Sequence, residues 1–91
     1  MNHFPFTYST VVFSQKFKKA MKKFPRTDYL FIKKYLEKIL NEAIDPNIKQ
    51  LKNYKIASYR MRIGNFRILF NIDSKKEKYL FMTIRRRKDL Y

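Results

Sequence analysis

Cysteine is absent from all 91 residues, so neither a disulfide framework nor a thiolate metal site can form. Histidine occurs once, at His3, which excludes a multi-histidine zinc site and a histidine-centred catalytic pair. That residue lies near a terminus, where a solvated side chain is the usual condition. Glycine occurs only at Gly64, and the chain has no repeats, linkers or low-complexity stretches. No apolar run approaches the roughly 20 residues needed to span a bilayer. The start, MNHFPFTYS, lacks a basic region followed by an apolar stretch, so no signal peptide is expected and the cytoplasm is the expected setting. Acidic residues are scarce as well, with seven Asp and Glu against 22 Lys and Arg.

That imbalance leaves a formal net charge of +15, and such a field seeks a polyanion. Nucleic acid is the first candidate partner, an acidic protein the second, and an anionic membrane a distant third. The two basic residue types are distributed differently. Eleven of the 15 lysines precede position 56, whereas six of the seven arginines lie at 60, 62, 67, 85, 86 and 87. Lysine is a mobile point charge, while the planar guanidinium fork grips phosphate in a fixed orientation. The first half therefore reads as general attraction and the second as a site.

A chain of this length holds one core, and residues 1–91 are expected to form a single domain. Seven Tyr and nine Phe supply much of the apolar area. Residues 7–13, TYSTVVF, are β-branched and aromatic and predict a strand. Ser14 can cap a helix in which Phe17, Ala20, Met21 and Phe24 share one face, and Pro25 ends it. A second helix is predicted over 27–44, with Ile32, Tyr35, Leu36, Ile39, Leu40 and Ala43 as its apolar stripe. From position 56 the period changes to two. Tyr59, Met61 and Ile63 alternate with Arg60 and Arg62, and Gly64-Asn65 provides a tight reversal. Phe66, Ile68, Phe70 and Ile72 then alternate with Arg67, Leu69 and Asn71. After the polar DSKKEK turn, Leu80, Met82 and Ile84 alternate with Tyr79, Phe81, Thr83 and Arg85, and further extension adds Arg87 to the second set.

These periods predict an α+β fold: an N-terminal strand, a helical hairpin, then an antiparallel meander with both helices on its aliphatic face. The opposite face is expected to carry Arg60, Arg62, Arg67, Arg85 and Arg87, flanked by Tyr79 and Phe81. Clustered arginines with exposed aromatics hold an RNA backbone while bases stack. The plainer reading is a solvated sheet face with ordinary surface charge, although such a face usually mixes both signs.

The segment YRMRIGNFRILFNID (59–73) resembles the central hairpin of the RelE/ParE toxin superfamily, Tyr-Arg-x-Arg-x-Gly-x-Tyr/Phe-Arg followed by an apolar strand. The ending TIRRRKDLY (83–91) is similar to that family's terminal motif, an apolar strand running into Gly-His-Arg-x-x-Val-Tyr. The order of elements also matches over essentially the whole chain. The resemblance is to RelE-like toxins of type II toxin-antitoxin systems. It implies a metal-independent endoribonuclease without cofactors, cutting messenger RNA in the ribosomal A site and silenced by an acidic RelB-like antitoxin. It also implies attack of a ribose 2′-OH on the neighbouring phosphate, giving a 2′,3′-cyclic phosphate. By this likeness Arg60 and Arg62 orient the nucleophile, Arg67 stabilises transition-state charge, Arg87 serves the leaving group and Tyr91 stacks on a base. Arg85, Arg86 and Lys88, with Tyr79 and Phe81, then contact RNA, and the lysine-rich helices draw the protein to ribosomal RNA.

The family's Gly-His is Arg85-Arg86 here, which removes an imidazole, and arginine is too basic to give up a proton. Lys88 and Tyr91 are therefore the candidates for the proton-transfer group. Two other functions stay open at this point: a ParE-like poison of DNA gyrase on the same fold, and a non-catalytic RNA-binding module.

Overall fold

In the computed structural model, which describes residues 6–88, Ser14 joins the first strand to the first helix. The elements run β1 (Val11–Phe13), α1 (Gln15–Lys23), α2 (Arg26–Leu40), β2 (Asn47–Gln50), β3 (Tyr59–Ile63), β4 (Phe66–Asp73) and β5 (Lys78–Arg86). The Ser14 hydroxyl accepts from the Phe17 amide at 3.0 Å, the capping bond its position predicts. It also donates to the Met82 carbonyl at 2.7 Å, so the cap of α1 is tied to β5. Phe24 and Pro25 separate α1 from α2, and α1 turns Phe17 and Met21 inward.

The second helix stops at Leu40, four residues short of the predicted end. Glu42 takes a left-handed backbone (φ 58°), its amide donates to Ile39 at 3.0 Å, and the Ala43 amide donates to Lys38 at 2.8 Å. These are the paired bonds of a Schellman stop, made with glutamate where glycine is usual. Ala43, expected on the buried stripe, is consequently exposed.

The sheet has five strands in the order β1-β5-β4-β3-β2. The expected three-stranded meander thus gains β2, which pairs antiparallel with β3 at one edge. At the other edge β1 runs parallel to β5, with Val11 opposite Tyr79 and Phe13 opposite Phe81. The α+β arrangement with both helices on one sheet face is as predicted. Its core joins Phe17 and Met21 of α1 to Ile32, Leu36, Ile39 and Leu40 of α2, over Met61, Ile63, Phe66, Ile68, Phe70 and Ile84 of the sheet.

One irregularity decides which residues reach the other face. Leu69 pairs with Thr83 but Phe70 pairs with Phe81, so Met82 is an extra residue in β5. A bulge of this kind inverts the facing of everything on one side of it. Phe81 is therefore fully buried, not exposed, with ring centroids 5.5 Å from Phe13 and 5.7 Å from both Phe6 and Phe70. Tyr79 packs against the same cluster, 4.8 Å from the Phe6 ring. Leu80, expected in the core, instead pairs with Asn71 and Val12 on the opposite face.

Candidate nucleic-acid interface

Alternation along β3 and β4 turns Arg60, Arg62 and Arg67 away from the helices, and the register aligns them. Asn47, Arg62, Arg67 and Arg85 stand opposite one another across β2, β3, β4 and β5. One step along the strands, roughly 7 Å away, the next row is Lys49, Arg60, Leu69 and Thr83. Like charges facing each other across a ladder cost stability, and here three guanidinium groups do so in succession. No acidic side chain interrupts either row; the arginine-bearing face meets its acidic residue at Asp73, the far end of β4, opposite Lys78.

These arginines are not freely solvated. Arg60, Arg62, Arg67 and Arg85 are all half-buried, and the Nη1 of Arg60 and the Nε atoms of Arg62 and Arg67 are out of contact with solvent. The Nε of Arg62 meets no hydrogen-bond acceptor. Beneath them Leu69 and Thr83 are closed off, at 0% and 3% exposure. The loop after β2 is tied to the same face at Asn71. The Asn71 side chain accepts from the Ser58 amide at 2.7 Å and donates to the Ile56 carbonyl at 3.3 Å, lashing residues 56–58 across this face. Ala57 is buried there. Charges packed into a partly dry surface act more strongly on an anion than the same charges in open water.

Beyond β5 the ladder carries on for one step, since the Arg87 amide donates to the Asn65 carbonyl at 2.6 Å. Asn65 belongs to the β3–β4 reversal, where Gly64 has a φ of +54° and lies against the Phe31 ring. An added Cβ at Gly64 would stand 3.1 Å from that ring, so both the conformation and the space favour glycine. Arg87 and Lys88 are exposed and, with Asn65 and Arg86, line a shallow depression of about 460 Å³ beside the arginine rows.

Arg86 departs from its expected place among the RNA contacts. It pairs with Phe66 and so points to the helix side, where its guanidinium meets Asp28 at 2.5 Å. The same group lies 5.5 Å from the centre of the Phe24 ring and 5.4 Å from that of Phe66. The expected role of Phe81 as a base-stacking platform is likewise overturned, because the Met82 bulge turns it into the core, and Tyr79, half-buried, packs against that core on the helix side and not on the arginine face. Burial, and then the nearby Glu77 carboxylate, push the Tyr79 phenol above its ordinary value of 10.0. Tyr91 lies outside the described residues. Among those described, no three Asp, Glu, His or Cys side chains gather where a metal could bind, and no helix is long and apolar enough to cross a membrane.

Two helices against a five-stranded sheet with a basic outer face define the RelE-like toxin fold. The toxin-bearing RelB-RelE complex of Methanococcus jannaschii matches with a TM-score of 0.63 at 27% identity, covering 86% of this chain and 92% of that one. The RelBE2 complex of Mycobacterium tuberculosis matches with 0.64 at 18% identity over 86% and 96%. The RelE-RelB complex of Pyrococcus horikoshii gives 0.62 at 16% identity over 89% and 97%. No family model and no curated protein sequence matches the chain.

Proposed function

We propose that this chain is the toxin of a toxin-antitoxin pair and acts in the cytoplasm as an endoribonuclease on messenger RNA held in the ribosome. The observation that carries the reading is the in-register row Arg62–Arg67–Arg85, bordered by Arg60 and Arg87 and free of acidic side chains. A row of mutually repelling, half-desolvated guanidinium groups suits an anion whose charge grows during reaction. Attack of a ribose 2′-OH on the adjacent phosphate forms the new O–P bond and breaks the bond to the 5′ oxygen. It passes through a phosphorane carrying extra negative charge and leaves a 2′,3′-cyclic phosphate and a 5′-OH, the 2′ proton passing in net to the departing oxygen. In this proposal Arg60 and Arg62 orient the nucleophile, Arg67 holds the phosphorane and Arg87 faces the departing oxygen. Lys88, exposed beside Arg87, is the described side chain nearest in sequence that can move a proton.

Arginine supplies charge and position but not proton transfer, so the reaction depends on a substrate already aligned. The A-site codon supplies that alignment, and flexible free RNA does not. The partner that silences the toxin is an acidic RelB-like antitoxin. A net charge of +15 supports this, as does an apolar groove of about 480 Å³ between α1 and α2, floored by Phe17, Met21 and Leu36 and rimmed by Lys18, Lys22 and Lys33. The M. jannaschii, M. tuberculosis and P. horikoshii structures are all complexes of a RelE with a RelB partner.

Primer extension on a translated message, with the same RNA free in parallel, tests the reading. New 5′ ends on programmed ribosomes, with slow or absent cutting of free RNA, are expected. Equal rates on both would show that the chain carries its own acid–base groups. RNA binding with no new ends on either would leave a non-catalytic RNA-binding module.

A further inference from the structure

β1 ends at Phe13, so the C-terminal half of β5 has no strand beside it on that edge. Helix α1 takes that place, anchored by the Ser14 amide on the Phe81 carbonyl at 3.1 Å and the Ser14 hydroxyl on Met82. The seam between helix and strand is a groove of about 440 Å³ lined by Lys16, Lys19, Ala20, Lys23, Thr83, Ile84 and Arg85. The three lysines recur at i, i+3 and i+7, one face of the helix, with a rise of roughly 1.5 Å per residue setting them about 4–6 Å apart along its axis. All three are exposed, α1 contains no acidic residue, and none lines the groove. Arg85 belongs to both places: it lines this groove and stands opposite Arg67 in the arginine row.

From that continuity we infer that the α1–β5 groove is a second RNA subsite, which holds the phosphate backbone of the substrate strand beyond the scissile nucleotide. The inference rests on the arginine row being an RNA site and extends it around the edge of β5. The occupant is the same strand because Arg85 leaves no break between the two surfaces. Recognition is of phosphate and not of base, since lysine, threonine and arginine offer donors and charge but no stacking ring. Lys18 and Lys22 border the apolar groove and not this track, Lys16 and Lys23 border this track alone, and Lys19 lies on the ridge between the two.

Binding of short and long oligoribonucleotides separates this subsite from general attraction. The probes are 2′-O-methylated 5-mers and 15-mers, which cannot be cut by 2′-OH attack. The variant K16Q/K19Q/K23Q keeps near-lysine helix propensity and changes exposed positions. It should lose on the order of tenfold in affinity for the 15-mer, keep wild-type affinity for the 5-mer, and show a salt slope shallower by about 2 for the 15-mer. The control K18Q/K22Q/K33Q removes the same charge from the other groove and should leave both affinities within about twofold, a limit set by screening of remote exposed charges. Equal losses in the two variants, equal losses at the two lengths, or no loss would each overturn the subsite. So would a defect confined to programmed ribosomes with free-oligomer binding unchanged, which would assign the lysines to ribosomal RNA. If the length effect persists while ribosome-bound messenger is never cut, the ribonuclease reading fails and the subsite stands.

Discussion

Arg86 of β5 closes on Asp28 of α2 at 2.5 Å, linking positions 58 residues apart in sequence. The guanidinium also lies over the Phe24 and Phe66 rings, so it pins the end of β5 to the elbow between the helices just where Arg87 begins.

Replacing Arg86 with lysine keeps the charge but loses the planar fork that serves the carboxylate and both rings at once. A loss of about 1–2 kcal/mol is expected for Arg86→Lys, from ring contacts and a half-exposed ion pair together. Urea denaturation measures it. The cycle with Asp28→Asn should return a coupling of about 0.5–1 kcal/mol. A variant as stable as the parent would mean that the clasp holds nothing.

Arg67 faces Arg62 on one side and Arg85 on the other. Arg67→Gln should lower cleavage on programmed ribosomes by roughly 10²–10³-fold, the cost of losing one positioned donor. It should also raise stability by a few tenths of a kcal/mol, because like charges opposite each other repel. Denaturation and primer extension on the same preparation check both signs. Loss of activity through unfolding would move the two readings together instead.

Phe81 decides between the two facings of β5. Buried at 0% exposure among Phe6, Phe13, Phe17 and Phe70, it should cost about 3–5 kcal/mol when cut to alanine. A surface stacking residue would cost almost nothing in stability and would weaken RNA binding alone. The urea midpoint of Phe81→Ala distinguishes them.

What was legible and what was hidden divides along this strand. In β3 arginine and apolar residues alternate without ambiguity, and Gly64-Asn65 marks the turn, so Arg60, Arg62 and Arg67 fall on the predicted face. Tyr79-Leu80-Phe81-Met82 is a continuous apolar run, which has no parity of its own. Counting back from Arg85 gives the correct face only as far as Thr83, because the bulge at Met82 shifts the phase and no glycine announces it. β2 leaves no periodic trace for a related reason: Asn47-Ile48-Lys49-Gln50 has one apolar residue and lies at a sheet edge, where burial imposes little pattern. Arg86 carried one available signal, the Asp28 carboxylate in the first turn of α2, but only the fold brings the two together.

Tyr79 adds a pH dependence. Its folded value is raised by burial and by Glu77, so the folded chain holds the phenol proton more tightly than the unfolded chain does. The stabilisation is complete below the ordinary value of 10.0 and is lost as pH rises through the folded value. The urea midpoint should therefore fall more steeply above about pH 10 in the parent than in Tyr79→Phe, which has no proton to lose. Parallel curves would remove Tyr79 from the alkaline transition.

The sheet order also fixes when this molecule can exist. β5, which follows the other six elements among the described residues, lies between β1 and β4 and brings Phe81 and Ile84 to the core, Arg85 to the arginine row and Arg87 to its border. A nascent chain that has reached only Glu77 holds β1 with no neighbour in the sheet and an arginine row lacking its last member. Core and site are thus completed by one late event, the docking of a central strand between partners made long before it. A ribosome making this protein carries no finished site on the emerging chain until that strand has cleared the exit, and the newly completed surface is then basic and ready for whichever polyanion meets it first.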